Sequence, residues 1–260
     1  MLIDYHMHTR LTDGVGEPVD YARVALARGL HEIGCSDHAP LRDRETNWTQ
    51  KKSDLPVYVE MVRRAQREFP QLSIKLGLEV DFIPGHEDWV RELAAMYPWD
   101  YFLGSVHFIG DWAVDLSAKN WEGYDVDERW RAYFDLWEQA ARSRLFDSLA
   151  HPDLPKKFGH RPQQRFSDIF CHALDVVARC DVAIEVSTAG LRRPCREMYP
   201  SEEFLRLAYQ RNIPVTLGSD AHLPEETGQD FDRAVELLRA CGYREICLFT
   251  RRQRQLVPLG

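Results

Sequence analysis

Apolar runs of strand length alternate along this chain with amphipathic stretches, and most of the runs stop at a histidine or an acid. The runs cover residues 2–8, 32–36, 73–80, 101–108, 147–150, 182–186 and 214–218. Between them the pattern predicts helices over 18–28, 55–69, 86–96, 128–144, 167–179, 201–211 and 230–240. Pro18 and Gly29 frame the first helix, proline at its start and glycine past its end. Strand and helix in strict alternation predict a parallel sheet with helices outside it. One further apolar stretch, 245–249, reads either as an eighth strand or as an irregular closure. No internal repeat or low-complexity linker interrupts the pattern, so residues 1–260 read as a single domain.

The polar residues that end the runs carry the chemistry. His6 and His8 are spaced i, i+2 and share one face of the first strand. Later runs end on His38, Glu79, His107, His151, and Asp220 with His222; Asp13 lies on the loop after the first run. In a parallel barrel the C-terminal strand ends converge on one face, where active sites sit. Polar barrel rims account for one or two such tips, not for the set. His31, His86 and His172 fall in helices or connections and read as surface residues, and His160 is left open.

Composition narrows the choice of partner. At 260 residues and 44% hydrophobic the chain can bury one large core, and its net charge of −8 argues against a nucleic-acid partner. Arg251, Arg252 and Arg254 read as a solvated tail. Six cysteines without a Cys-x-x-Cys pair read as reduced thiols. No signal-like leader and no membrane-length apolar run stand out, so a soluble cytoplasmic protein without a membrane partner is expected.

Imidazoles and carboxylates without cysteine suit divalent Zn, Mn or Fe rather than Cu(I) or an Fe–S cluster. The tips offer more ligands than one tetrahedral ion takes, which implies two or three ions and a bridging carboxylate. Three such ions bring about +6, of which Asp13, Glu79 and Asp220 offset about half. The resulting pocket suits a small anionic substrate.

Seven segments together resemble the polymerase and histidinol phosphatase (PHP) family, in its stand-alone histidinol-phosphate phosphatase branch. They are Asp4-Tyr5-His6-Met7-His8-Thr9, Ser36-Asp37-His38, Gly77-Leu78-Glu79-Val80-Asp81, Gly104-Ser105-Val106-His107-Phe108, His151-Pro152-Asp153, Thr188-Ala189-Gly190-Leu191-Arg192 and Gly218-Ser219-Asp220-Ala221-His222. The resemblance implies an α/β fold, a distorted (β/α)7 TIM-like barrel, and a trinuclear site. One metal takes His6, His8, Glu79 and Asp220. Glu79 bridges to a second, which adds His107 and His151. A third takes Asp13, His38 and His222, with aspartate where some relatives carry histidine. The implied activity is hydrolysis of L-histidinol phosphate to L-histidinol and phosphate, in histidine biosynthesis. The alternatives keep the family and change the job: a sugar phosphate or nucleotide as substrate, or a non-catalytic metal-binding scaffold. Amidohydrolases also use His-x-His on a barrel strand, but no lysine stands at the later strand tips here.

The expected mechanism has a metal-bridging hydroxide at Glu79 attack phosphorus. Asp220 orients or deprotonates that water, and His222 or another water protonates the leaving oxygen. Arginine forks suit the remaining phosphate oxygens, and the candidates are Arg161 and Arg192, with Arg193 alternating with the latter. Asp115 is the candidate for the substrate amine and Trp112 a cover for its ring. Asp4, on the face of His6 and His8, is expected to orient metal-bound imidazoles. Asp37, Asp81 and Asp153 either do the same or are plain rim residues.

Overall fold

Seven strands follow one another around a single parallel sheet: β1 (Ile3–Asp4), β2 (Glu32–Cys35), β3 (Ser73–Asp81), β4 (Tyr101–Ser105), β5 (Ser148–Leu149), β6 (Ala183–Ser187) and β7 (Val215–Gly218). The structure is a computed structural model, and it describes residues 1–163 and 166–260. The first and last strands meet through Tyr5 N to Leu217 O (3.0 Å), Ala221 N to His6 O (3.1 Å) and His8 N to Ala221 O (2.8 Å), which nearly closes the barrel. Helices α1 (Pro18–Ala27), α2 (Leu55–Glu68), α3 (Glu87–Met96), α4 (Val126–Ser143), α5 (Ser167–Cys180), α6 (Glu202–Tyr209) and α7 (Phe231–Cys241) alternate with the strands. Strands β2, β4, β6 and β7 are buried along their whole length, as strands covered on both faces must be.

The base of the barrel is filled by aromatic side chains. Tyr101 donates from Oη to the carbonyls of Tyr5 (2.7 Å) and Cys35 (3.2 Å). Its ring lies over Gly34 and Gly77, where an added Cβ would come within 2.3 Å of it. Tyr5 and Phe249 complete the layer, at 4.8 and 6.2 Å from the Tyr101 ring centroid.

Three departures from the sequence expectation have physical causes. Residues 2–8 were expected to form one strand, but regular pairing stops at Asp4. Tyr5 packs on Tyr101 at the base while His6 reaches Glu79 above it, so two neighbours both address the interior and the alternation breaks between them. The run 101–108 ends as a strand at Ser105, because the His107 amide turns to Asp81 Oδ1 (3.2 Å); Phe108–Ile109 then pairs antiparallel with Trp112–Ala113. The stretch 245–249 adds no eighth barrel strand. It belongs to β8 (Glu245–Thr250), which forms an antiparallel hairpin with β9 (Gln253–Pro258).

Of the three arginines expected in a solvated tail, Arg251 is exposed, but Arg252 and Arg254 belong to the hairpin and are paired. Arg252 pairs through Nε with Asp147, donates to Leu145 O (2.6 Å) and lies over the Phe102 ring, and Arg254 pairs with Asp181 at 2.6 Å. They fasten the hairpin to the segments that lead into β5 and β6.

Candidate metal centre

Glu79, near the end of β3, is the residue on which the cluster is built. It is 2% exposed, and Ser105 donates a hydrogen bond to its Oε1. His151 Nε2 lies 2.8 Å from Oε1 and His107 Nε2 3.5 Å; His38 Nδ1 lies 3.0 Å from Oε2, His6 Nε2 3.1 Å and His8 Nε2 3.5 Å. Five imidazoles from four segments thus surround one carboxylate. Asp220, after β7, faces the far side of the first pair, with Oδ1 at 3.2 Å from His8 Nε2 and 3.7 Å from His6 Nε2. Asp13 reaches in from the loop after β1, at 3.1 Å from His222 Nε2 and 3.7 Å from His38 Nε2. All nine residues singled out in the sequence as candidate ligands therefore meet on one face.

Two of them sit on strained backbone. His151 and Asp220 have positive φ, 27° and 50°, in the region that disfavours non-glycine residues. Such strain costs about 1–3 kcal/mol each and persists where the surroundings over-determine it. At Asp220 the surroundings are Arg192, which donates from Nη2 to the Ser219 carbonyl (2.6 Å) and pairs through Nε with Glu226 (3.1 Å); Glu226 in turn accepts from the His222 amide (2.9 Å).

The imidazoles are held from behind by carboxylates. His6 Nδ1 lies 2.7 Å from Glu185 Oε1, and Glu185 Oε2 accepts from the His151 amide (2.9 Å). Asp81 does the same for His107, at 3.0 Å from Nδ1. Of the four aspartates considered for this role, only Asp81 touches an imidazole. Asp4 instead accepts from Ser219 N (2.8 Å), Ser219 Oγ (2.5 Å) and Gly228 N (2.8 Å), which ties β1 to the loop after β7. Asp37 holds Thr9 and Gln50, and Asp153 holds Lys156 and Ser201. Glu185 escaped the sequence reading; the signal was a lone acid inside the apolar run 182–186. Gly218 leaves room for it, since a Cβ there would come within 2.0 Å of Glu185 Oε1.

The electrostatics favour cations. Burial works against the charge on His6, but Glu185, Glu79 and Asp220 outweigh it and hold the ring's pKa well above its usual value. In the same way His107 rises to about 10 against burial through Asp81 and Glu79, and His222 to about 9 through Asp13 and Asp220. Burial, with His38 and His222 beside it, drives His8 down to about 3. Glu79 and Asp220 stay well below the usual carboxylate range despite burial, because imidazoles surround them. Several donors are left over: His6 Nε2, both nitrogens of His8, His38 Nδ1 and Glu79 Oε2 are buried without a hydrogen-bond partner. Unpaired buried polar atoms are costly, and a shared cation removes that cost. Four groups of three have ligand atoms within 4.8 Å of one another: His6–His8–Asp220, His6–Glu79–His151, His38–Glu79–His107 and His8–His38–His222. The donor set fits divalent metal ions.

A cavity of about 670 Å³ opens over the cluster. Asp115 lines it, paired with Lys157 (2.8 Å), which holds the carboxylate down at about 2 against burial. Arg193 lines it too. Arg161 does not; it is half exposed and turned to Glu197 at 2.8 Å, an ion pair that draws the guanidinium away from the cluster. Arg192 lies behind the Asp220 loop, with Nη1 buried and without a partner. Trp112 is no cover for the cavity: its Nε1 donates to Asn120 O (2.8 Å) and its ring packs on Trp121. The residue in that position is Trp48, from the polar loop that follows β2. His160 stacks on Trp121 at 4.8 Å, apart from the cluster. No helix among the described residues is long and apolar enough to cross a membrane.

Known proteins share this arrangement of chain. A histidinol phosphate phosphatase of Lactococcus lactis, solved with zinc, L-histidinol and phosphate, superposes with a TM-score of 0.86 over 98% of both chains at 23% identity, which speaks for the fold. A protein of Deinococcus radiodurans named a probable histidinol-phosphatase is 42% identical over 99% of both chains. A histidinol-phosphatase of Bacillus subtilis is 28% identical over 90% of this chain and 98% of its own length. The family model for the PHP domain matches residues 4–189, a span that runs from the end of β1 through β6 and holds seven of the nine clustered residues. On that match and on the full-length relative, this chain belongs to the PHP domain family.

Proposed function

We propose that this chain is a metal-dependent phosphomonoesterase that hydrolyses L-histidinol phosphate to L-histidinol and phosphate, a step of histidine biosynthesis. The observation that carries the reading is the Glu79-centred cluster at the mouth of the cavity, in a chain 42% identical along its length to a protein named for that activity. The cluster would hold two or three divalent ions, of zinc, manganese or iron. His6, His8, Glu79 and Asp220 would be the ligands of one, Glu79, His107 and His151 of a second, and Asp13, His38 and His222 of a third. Such ions neutralise phosphoryl oxygens and provide a nucleophilic water at neutral pH.

The protein's own groups do the rest. Asp220, kept ionised, accepts a hydrogen bond from the attacking water and sets its direction. Arg192 acts from behind the site: it holds the Asp220 loop through the Ser219 carbonyl and Glu226. Arg193 and Lys157 add positive charge on the cavity wall. The Asp115–Lys157 pair is itself a zwitterion, and it matches a substrate that carries an ammonium and a phosphate: the amine goes to Asp115, the phosphate side to Lys157. His222 is either a ligand or the acid that protonates the leaving oxygen, because a ligated nitrogen carries no proton. Unligated, His222 would carry the proton for that oxygen itself; ligated, it would leave the proton to a water.

The test is phosphate release from L-histidinol phosphate beside sugar phosphates, nucleotides and an aryl phosphate, with metal content measured on the same sample. A preference for histidinol phosphate of tenfold or more, abolished in Glu79→Ala while that variant keeps its circular dichroism, is the expected result. Equal rates across the panel discard the substrate, and full activity in Glu79→Ala discards the bridged centre.

A further inference from the structure

We infer that Trp48 is the residue that makes the site prefer an ester whose leaving alcohol carries a planar ring; this rests on the phosphatase reading above. Five of the seven tryptophans, Trp89, Trp99, Trp112, Trp121 and Trp130, donate their indole N–H to a backbone carbonyl and pack the structure down. A sixth, Trp137, is buried in the core. Trp48 is different. It stands on the loop between β2 and α2, lines the cavity, and makes no indole hydrogen bond among the described residues.

Its position is nevertheless fixed against the cluster. The indole meets the rings of His38 and His107 edge-on, at 4.6 and 5.6 Å between centroids, and stacks on Phe108 at 5.7 Å and 22°. Arg44 lies 4.6 Å from the Phe108 centroid. The loop is anchored on both sides of this wall: Trp89 donates to Pro40 O (2.8 Å), and Gln50 donates to His38 O (3.0 Å) and Asp37 Oδ2 (2.8 Å). A polar cavity over an ion cluster thus has one aromatic flank, one ring-width from two of the candidate ligands. Every phosphate ester gains from the charges. Only an ester with a flat ring gains edge-to-face or stacked contact with Trp48 and Phe108 as well, an advantage of about three- to tenfold for one aromatic pair.

The experiment measures kcat/KM for L-histidinol phosphate and for O-phosphoethanolamine, which keeps the ammonium and the phosphate but has no ring. The expected result is that Trp48→Ala lowers the ratio of the two values three- to tenfold, through KM for the ring ester, and that Trp48→Phe restores most of it. As a second readout, L-histidinol quenches tryptophan fluorescence in the unmodified enzyme, and the quench is lost in Trp48→Phe. An unchanged ratio in Trp48→Ala, or a quench that survives in Trp48→Phe, overturns the inference. An unmodified enzyme that turns over both esters equally overturns the inference as well, whereas one that releases phosphate from neither overturns the phosphatase reading instead, so the two failures are distinguishable.

Discussion

Glu185 illustrates how much one residue can settle. It accepts from His6 Nδ1 and from the His151 amide at once, so the His6 proton is fixed on Nδ1 and Nε2 is left to face Glu79 and Asp220. Glutamine has the same shape but one acceptor atom, so one of the two N–H groups loses its partner. Glu185→Gln should weaken zinc binding by about 10- to 100-fold, the usual cost of losing a group that orients a ligand. Competition against a chromogenic chelator measures it, and unchanged affinity would return Glu185 to a packing role. The same titration has a pH sign. His6, His107 and His222 have raised pKa values, about 10 and about 9 for the last two, and must shed protons to ligate. Affinity should therefore climb as pH rises from 6.5 towards 9, with proton release seen as a dependence of the binding enthalpy on the buffer. For the metal-free protein the sign is opposite: stability from these raised groups is full below about 6.5 and is lost as pH rises through their folded values. At this scale the sequence was most legible where chemistry is local. Histidine and acid at the ends of apolar runs needed only the strand-end rule to be grouped. Glu185 and Trp48 were not legible, because their roles depend on what lies across the barrel or over it, and periodicity carries no such information.

Among the elements, the segment after β5 shows how a polar loop becomes rigid. Lys156 is fully buried, with Nζ 2.7 Å from Asp153, 2.9 Å from Glu197 and 2.6 Å from the Met198 carbonyl. Those contacts fix the chain that leads from Arg193 into α6. Lys156→Met should leave Asp153 and Glu197 without their shared cation and cost about 3–5 kcal/mol, the range for breaking one side of a buried pair. Urea unfolding reads this, and a loss below 1 kcal/mol would mean the carboxylates find water instead. In sequence the same stretch, Lys156 to Pro162, is simply polar, and a lysine in such a stretch carries no sign of burial. Helices were the better-read elements: α1, α2 and α7 fall within a residue or two of their expected bounds, since caps and amphipathic faces are written locally. Strand ends were read worse where a side chain replaced a sheet partner, as Asp81 does for the His107 amide.

For the whole molecule, the weak point of the architecture coincides with the chemistry. Six of the seven joins of the barrel are between strands paired in register, whereas β1 and β7 are joined by scattered hydrogen bonds and one isolated bridge, Met7 to Ala221. His6 and His8 stand on one side of that seam, Asp220 and His222 on the other. A cation shared by His6, His8 and Asp220 would therefore be a clasp on the barrel as well as a reagent. Metal that binds only the folded chain adds about 2.7 kcal/mol at a hundredfold excess over its dissociation constant. Its removal should be felt unevenly: hydrogen exchange after chelation should rise first at the amides of Tyr5, His8 and Ala221 and last in α4 and α5. A uniform rise would place the metal's stabilisation elsewhere. If the seam does open first, this barrel has a built-in direction of failure. A chain starved of metal unzips at its own catalytic edge and presents two unpaired strands there, so shortage of the ion becomes a hazard of misassembly rather than a simple loss of rate.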